Sequence, residues 1–153
     1  ALWPVLTRSP HLKVVKFQNC GISGEAAAVI RDALREGGVS LREAWFYNNM
    51  SGDQGAIAIA DLVRHSPRLQ ILRVSTMRVG EEGGKALCDA VEHLAHLRRI
   101  DFTDNMFLPS FGENFANAIA KPSSCAASIQ TLLLNDLNLE DEGVEAFAKT
   151  VLQ

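Results

Sequence analysis

The side chains of this sequence that could hold a metal ion do not form a recognisable site. The sequence contains four histidines: His11, His65, His93 and His96. His93 and His96 are three residues apart and could share a helix face, but Cys88 and Glu92 complete no spacing typical of a metal centre. All four histidines fall at predicted helix ends, where solvation or helix C-terminal capping is the simpler interpretation. The sequence therefore predicts no metal.

Catalytic chemistry has no better candidates. The glycine pairs Gly37-Gly38 and Gly83-Gly84 do not build a phosphate-binding loop, since no G-x-x-x-x-G-K-[ST] motif follows a strand. The acidic runs 81–82 and 140–142 lie in predicted first turns of helices, where the helix dipole favours carboxylates. An odd number of cysteines in unrelated contexts favours a reducing compartment and core or turn positions: Cys20, Cys88 and Cys125. We therefore predict no catalytic site, cofactor or small-molecule substrate, and a protein that is not an enzyme.

The composition is that of an ordinary globular domain. Apolar residues make up 47% of the chain, which is enough to build a sizeable core, and the net charge is −3. The absence of a basic excess argues against a nucleic-acid partner. We find no apolar run long enough for a membrane segment and no signal-peptide pattern, so we expect a soluble protein. Both ends fall in helix-like apolar patterns, so we expect a fragment of a longer protein.

Five segments follow one repeating pattern, L-x-x-L-x-L-x-x-N/C-x-L. Their first residues lie roughly 28 to 32 positions apart: Leu12, Leu41, Leu69, Leu97 and Ile129. In the first segment the marked positions are Leu12, Val15, Phe17, Cys20 and Ile22. Alternate residues of a short strand point to one side, so the first three marked positions feed the core. At the N/C position the chain turns out of the strand, where a small polar side chain can satisfy backbone groups.

A helix is predicted after each strand, over 23–36, 53–65, 81–94, 111–120 and 140–152. Ser23, Asp53 and Ser110 are predicted as helix N-caps. One such unit cannot bury both its strand and its helix, but stacked units can. The predicted fold is therefore an α/β leucine-rich-repeat solenoid of the ribonuclease-inhibitor-like type, with a parallel concave sheet and convex helices. It forms a single domain over 1–153, with a partial repeat in 1–11.

The residues between the core positions are predicted to face the concave side and the following loops. They are Lys13, Lys16, Gln18, Asn19, Arg42, Trp45, Tyr47, Asn48, Arg73, Ser75, Arg98, Asp101, Asp104, Leu133 and Asn135. A mixed row of charges, amides and aromatics suits a protein partner. For Trp45, packing of the ring into the sheet edge is an equal alternative. We predict these partner-binding residues: Lys16, Asn19, Trp45, Tyr47, Asn48, Arg73, Arg78, Asp101 and Asp104.

Several strings are more specific than the repeat pattern requires. They are FYNNMSGDQGAIAIADLVRHSPRL, STMRVGEEGGKALCDAVEHLAHLRRIDFTDNMF and LNLEDEGVEAFAKTVL. Together they resemble consecutive repeats of the Ran GTPase-activating protein family in its plant and green-algal form, from about Leu12 to Gln153. The resemblance implies that the partner is the nuclear-transport GTPase Ran in its GTP form. It also implies a cytoplasmic location, at the outer nuclear envelope through a domain that this chain lacks.

In that family the activator positions the GTPase's own glutamine, which orients the attacking water. The residue credited with that contact is an asparagine just before the N/C position. The segment KFQNCGIS assigns this role to Asn19, which without the resemblance would be read as a turn residue. The family's essential arginine, in a Gly-Arg turn, and the Ser-Asp-Asn turn after it have no counterpart here, and Arg8 is no substitute. The isolated chain is therefore expected to bind Ran weakly and not to accelerate hydrolysis. The alternative is a leucine-rich-repeat scaffold or receptor-like protein with another partner.

Overall fold

The protein is a stack of strand–helix units around one parallel sheet. A computed structural model describes residues 2–151, with the side chain of Val151 excepted. The five strands are β1 (Val14–Gln18), β2 (Glu43–Tyr47), β3 (Ile71–Ser75), β4 (Arg99–Asp101) and β5 (Thr131–Leu133). They lie side by side in chain order, and each pairs in parallel with the next. This order has no crossover, as a solenoid requires.

A helix follows each strand and returns the chain to the start of the next one. A short helix, α1 (Trp3–Thr7), precedes the sheet. The others are α2 (Gly24–Glu36), α3 (Gly52–Arg64), α4 (Glu81–Val91), α5 (Ser110–Ala120) and α6 (Glu140–Val151). The predicted leucine-rich-repeat fold is confirmed. The predicted end of the last helix at residue 152 lies outside the described residues, as do residues 1 and 153.

One core runs through the stack, between the sheet and the helices. The marked positions of the middle repeats fill it, including Ala44, Leu72 and Ile100, none of which is exposed to solvent. The helices pack closely, because small residues let their backbones approach. At Gly112 in α5, an added Cβ would collide with the backbone of Gly143 in α6. The repeats are therefore held in register on both sides of the core.

The structure corrects two of the three predicted helix caps. The Ser23 hydroxyl accepts from the Ala26 N–H of α2 at 3.2 Å, as predicted. Ser110 is instead the first residue of α5, and its hydroxyl donates to the Glu81 carboxylate at 2.9 Å. Asp53 lies inside α3 and does not cap it. Its carboxylate reaches the next repeat, where it accepts from Gly80 N–H at 2.6 Å and Gly83 N–H at 3.1 Å.

The two ends of the described stack are less well covered than its middle. Leu6 of α1 is buried, whereas Leu2 and Trp3 remain exposed, so α1 covers only part of the first repeat. In the last repeat, Leu134 and Phe147 are only partly buried against the core. Among residues 2–151, no helix is long and apolar enough to cross a bilayer.

Candidate partner-binding surface

Each strand ends in a tight turn that exposes a side chain at the same edge of the sheet. The residue at this position has a left-handed backbone in every repeat, with φ between 50° and 58°: Asn19, Asn48, Thr76, Asp104 and Asp136. We call this row of turns the loop edge. The asparagines and aspartates suit it because they adopt positive φ more readily than other non-glycine residues. Thr76 is half-buried and the other four residues are exposed.

Two buried asparagines hold the turns of neighbouring repeats together. The amide of Asn49 accepts from Cys20 N–H and Ile22 N–H, both at 3.1 Å, and donates to the Phe17 and Tyr47 carbonyls. Asn105 repeats the arrangement two units further on. One side chain thus satisfies backbone groups of its own turn and of the preceding turn. This is the role predicted for the N/C position.

The other three repeats carry no amide at that position. Cys20, Met77 and Leu137 occupy it. The backbone N–H groups of Cys20 and Met77 instead donate to the side chain of the asparagine in the following repeat. The second left-handed residue of the turn also alternates. In repeats one, three and five it lies two residues after the first left-handed residue, at Gly21, Arg78 and Asn138. In repeats two and four it lies four residues after the first, at Gly52 and Leu108. Repeats one to four therefore alternate between two turn shapes, which the repeat pattern alone does not predict. Repeat five combines them, since Glu140 also has a left-handed backbone.

The structure brings Asn19 and Asn48 together. The Asn48 side-chain Nδ2 donates to the Asn19 Oδ1 at 2.9 Å, and both residues are exposed. Their backbones are fixed by the sheet, because Asn19 N–H donates to the Tyr47 carbonyl and Asn48 N–H to the Ser75 carbonyl. Among residues 2–151, no acceptor lies within hydrogen-bond distance of the Asn19 Nδ2. That amide group is rigidly placed and available to a partner.

Side chains across the middle of the sheet interlock. Strand register aligns Lys16, Trp45, Arg73, Asp101 and Leu133, and we call this row the concave strip. The Lys16 ammonium lies 4.7 Å from the centre of the Trp45 ring. The Arg73 Nε forms an ion pair with the Asp101 carboxylate at 3.0 Å. Such cation–π and ion-pair contacts fix the cations in place while leaving part of each exposed.

The structure also shows how far the rings of Trp45 and Tyr47 are buried. For Trp45, packing into the sheet edge and contact with a partner were equal alternatives. Both rings are half-buried on the concave side of β2. The Trp45 indole N–H donates to the Glu43 carboxylate at 2.9 Å, and Arg73 lies 4.1 Å from the centre of the Tyr47 ring. Each ring therefore packs against neighbours and still presents surface to solvent.

Asp101 differs from the expectation for a partner-binding residue. It lies on the concave strip but is only 3% exposed, and its carboxylate pairs with Arg73 and accepts from Thr103 N–H. Ser75 is also buried, where its hydroxyl accepts from Arg73 Nε at 2.8 Å. Both residues offer a partner little surface. What they do is orient the Arg73 guanidinium.

A groove at the loop edge contains residues that the sequence analysis missed. Its volume is about 360 Å³, and Arg78, Asn48 and Asp104 line it as predicted partner residues. Two methionines also line it, Met50 at 62% and Met106 at 55% exposure. Exposed apolar side chains of this size are common in protein interfaces. They follow the N/C position directly, where the repeat pattern calls for no apolar residue, and that mismatch could have revealed them.

Three other predicted residues lie elsewhere. Lys13, Arg42 and Arg98 each precede a strand, so they lie at the opposite edge of the sheet from the turns. They do not join the concave strip or the loop edge. The far end of the strip is less polar, since Leu133 is half-buried there and Asn135 is exposed beside it.

Nucleophilic and metal chemistry finds little support in the geometry. Burial raises the pKa of the Cys88 and Cys125 thiols, which keeps them protonated and unreactive at neutral pH. Cys20 is exposed at the loop edge. Within residues 2–151, no three His, Cys, Asp or Glu side chains are grouped so that they could hold a metal ion.

Comparison with known proteins identifies the fold but not the family. No family model and no curated protein matches the chain. Among solved structures, it is similar to the actin-binding site 2 of leiomodin-1, with a TM-score of 0.71 and 16% identity over 99% of this chain and 92% of that one. It is also similar to the tropomodulin C-terminal domain of Caenorhabditis elegans, with a TM-score of 0.71 and 15% identity over 98% and 89%. Identities this low establish a shared leucine-rich-repeat-like fold and nothing finer.

Proposed function

We propose that the concave strip and the loop edge together bind one protein partner. The observation that carries this proposal is the loop-edge groove, where Met50 and Met106 stand exposed on either side of Arg78. The turns around the groove are held by the buried amides of Asn49 and Asn105, so little ordering is needed on binding. Exposed apolar groups beside an exposed arginine form the pattern of an interface centre.

The partner we propose is a Ran-type GTPase in its GTP form. The support for this choice is the resemblance of the turn strings to Ran activators, which includes the NNM and DNM segments of the loop-edge turns. The position of Asn19 is compatible with the role that the resemblance implies. Its Nδ2 is held at the surface by the contact with Asn48 and could donate to a glutamine carbonyl of the GTPase. In this proposal the protein stimulates hydrolysis without being an enzyme itself.

A second candidate partner is actin. The leiomodin-1 domain with a similar fold is an actin-binding site, and the likeness to that domain covers nearly all of this chain. This candidate uses the same surface as a plain interaction scaffold. It requires no role for Asn19 in positioning a catalytic group, and that difference separates the two candidates.

The test is a pull-down of the full-length protein with Ran loaded with GTP or GDP and, in parallel, with actin. Selective capture of the GTP form supports the proposal. Capture of actin alone, or equal capture of both Ran forms, rejects the activator proposal. If the groove is the interface, Met50→Ser with Met106→Ser should weaken whichever partner binds. Wild-type binding by this double variant would place the interface elsewhere.

Single-turnover hydrolysis then tests Asn19. We expect Asn19→Ala to lower Ran-stimulated hydrolysis by about 10²-fold, the usual effect of losing a positioning contact. The circular dichroism spectrum should not change, because the Asn19 side chain is exposed. Asn135→Ala is the matched control, since it removes an exposed amide from the far end of the sheet. Wild-type stimulation by Asn19→Ala would remove Asn19 from the site.

A further inference from the structure

A second surface lies at the edge of the sheet where the strands begin. We call it the start edge, and it consists of His11, Lys13, Arg42, Arg68, His96 and Arg98. All six side chains are exposed, and each of the first four repeats supplies at least one of them. The protein as a whole carries a net charge of −3, so this row is a local concentration of positive charge against the overall balance.

The backbone of the start edge is fixed by the sheet. The hydrogen-bond ladder continues one residue before the strands: Arg42 N–H donates to the Lys13 carbonyl at 2.7 Å, and Gln70 N–H to the Arg42 carbonyl at 2.7 Å. Arg98 N–H then donates to the Gln70 carbonyl at 2.8 Å. Neighbouring positions of this ladder lie about 4.8 Å apart. Lys13, Arg42 and Arg98 occupy the first, second and fourth positions, and Gln70 occupies the third. A ligand therefore meets cations whose backbone positions are fixed by the sheet.

A concave site lies within this row. An open cavity of about 310 Å³ is lined there by Arg42, Arg68, Gln70 and His96. Within residues 2–151, no carboxylate lies within 4.0 Å of the Arg42, Arg68 or Arg98 guanidinium groups. Charged guanidinium groups that converge without a partner form strong hydrogen bonds to carboxylate oxygens.

The nearby acidic side chains are engaged elsewhere or lie apart. Glu43 follows Arg42 directly, but it accepts from the Trp45 indole on the concave side. Glu92, at the end of α4, accepts from Lys121 at 2.6 Å and lies 3.1 Å from the His93 ring nitrogen. Glu36, the last residue of α2, is exposed and does not line the cavity. The positive charge of the start edge is therefore not cancelled from within the protein.

We propose that the start edge binds an acidic, extended peptide segment of a protein partner. The row crosses three gaps between strands, about 14 Å, which four or five residues of extended chain span at about 3.3 Å each. Carboxylates on alternate residues of such a segment lie on one side and face the guanidinium groups. The cavity lining does not favour a nucleic acid, because it has no Trp, Tyr or Phe ring on which a base could stack.

The start edge is separate from the surface proposed above. A strand of this sheet, with its flanking residues, covers about seven positions, so the two edges lie on the order of 20 Å apart. One partner segment at the start edge does not occlude the loop-edge groove. The proposal therefore stands or falls independently of the identity of the loop-edge partner.

The test measures fluorescence anisotropy of a labelled decapeptide of alternating Glu and Ser, with the Gln–Ser decapeptide as its neutral counterpart. We expect the acidic peptide alone to bind, with an affinity that falls as salt increases. Arg42→Gln with Arg68→Gln should weaken binding about tenfold. Lys85→Gln with Lys149→Gln removes the same charge from exposed helical sites and should change affinity less than about twofold.

Three results would overturn the proposal. Equal weakening by the two double variants would show that only net charge matters. Equal binding of the Gln–Ser peptide would show that carboxylates are not recognised. Binding of an oligothymidine of matched charge without binding of the acidic peptide would make the start edge a nucleic-acid surface. Circular dichroism of each variant shows whether the fold is retained.

Discussion

The two edges of the sheet are built in opposite ways. The loop edge depends on buried polar groups, since the amides of Asn49 and Asn105 satisfy backbone groups that would otherwise lie unpaired in the interior. At the start edge the backbone is held by the ladder and by the buried Ser66 hydroxyl, which accepts from Leu41 N–H at 2.9 Å. The cationic side chains of the row itself are exposed, and Lys13 donates to the Ser40 carbonyl at 3.2 Å. A side chain at the loop edge can therefore be essential to the fold, whereas one at the start edge is free to serve binding alone.

The edges also differ in charge, for a reason that lies in the helices. Carboxylates gather in the first helical turns, beside the loop edge: Glu25, Asp53, Glu81, Glu82, Glu113, Glu140, Asp141 and Glu142. The helix dipole favours them there and favours cations at the opposite ends. Lys13, Arg42 and Arg98 lie outside the helices, so this rule does not require them. Charge at the start edge thus exceeds what helix stability explains.

The largest effect should follow loss of a buried amide at the loop edge. Asn105 is 3% exposed, and its side chain bonds to Met77 N–H, Val79 N–H and the Val74 and Phe102 carbonyls. Asn105→Ala leaves these groups unpaired and should lower the free energy of unfolding by about 3–5 kcal/mol. Urea denaturation measures the change. Asn135→Ala, at an exposed position, should stay within about 0.5 kcal/mol, and equal losses would contradict the role given to Asn105.

A smaller loss of stability is expected where a side chain of one repeat caps the helix of the next repeat. Asp53→Ala removes the acceptor for Gly80 N–H and Gly83 N–H at the start of α4, which should destabilise the protein by about 1–2 kcal/mol. Asp53→Asn keeps an acceptor oxygen and should recover most of the loss. Thermal and urea unfolding of the two variants decide the point. If the Asn and Ala variants are equally destabilised, the carboxylate acts through its charge and not as a cap.

The sequence was sufficient to predict the features that every repeat shares. It was insufficient to predict the side-chain contacts between neighbouring repeats. Core positions such as Leu72 and Ile100 follow from the periodic pattern, and so does the parallel sheet. The Asp53 cap was missed because its partners are 27 and 30 residues away, and local cap rules consider only neighbours in sequence. Asp101 was placed on the correct face, but its burial depends on Arg73 of the preceding strand. Contacts between repeats are set by stacking, which a single repeat does not reveal.

Near the start edge, the ion pair of Glu92 with Lys121 should contribute only a few tenths of a kcal/mol, because the Lys121 side chain is exposed and solvent screens the pair. The hydrogen bond from Lys121 lowers the pKa of the Glu92 carboxyl below its ordinary 4.5. A lowered pKa in the folded state stabilises the protein above pH 4.5, and this contribution is lost as the pH falls through the lowered value. Glu92→Gln should therefore be slightly less stable than wild type at pH 7 and equally stable near pH 2. A difference in stability between Glu92→Gln and wild type that widens in acid would contradict the stabilising effect of the pair.

The smallest effect is expected at the start edge itself. Arg42 and Arg68 are exposed and have no ion pair within residues 2–151, and the hydrogen bonds that hold Arg42 in the sheet come from its backbone. Arg42→Gln with Arg68→Gln should thus change the free energy of unfolding by less than about 0.5 kcal/mol. Urea denaturation at low and high salt measures this directly. A slight stabilisation at low salt would fit, because two like charges are removed from one row and their repulsion is screened by salt. A loss of more than about 1 kcal/mol that salt does not relieve would show that these arginines support the fold, and would end the contrast between the two edges.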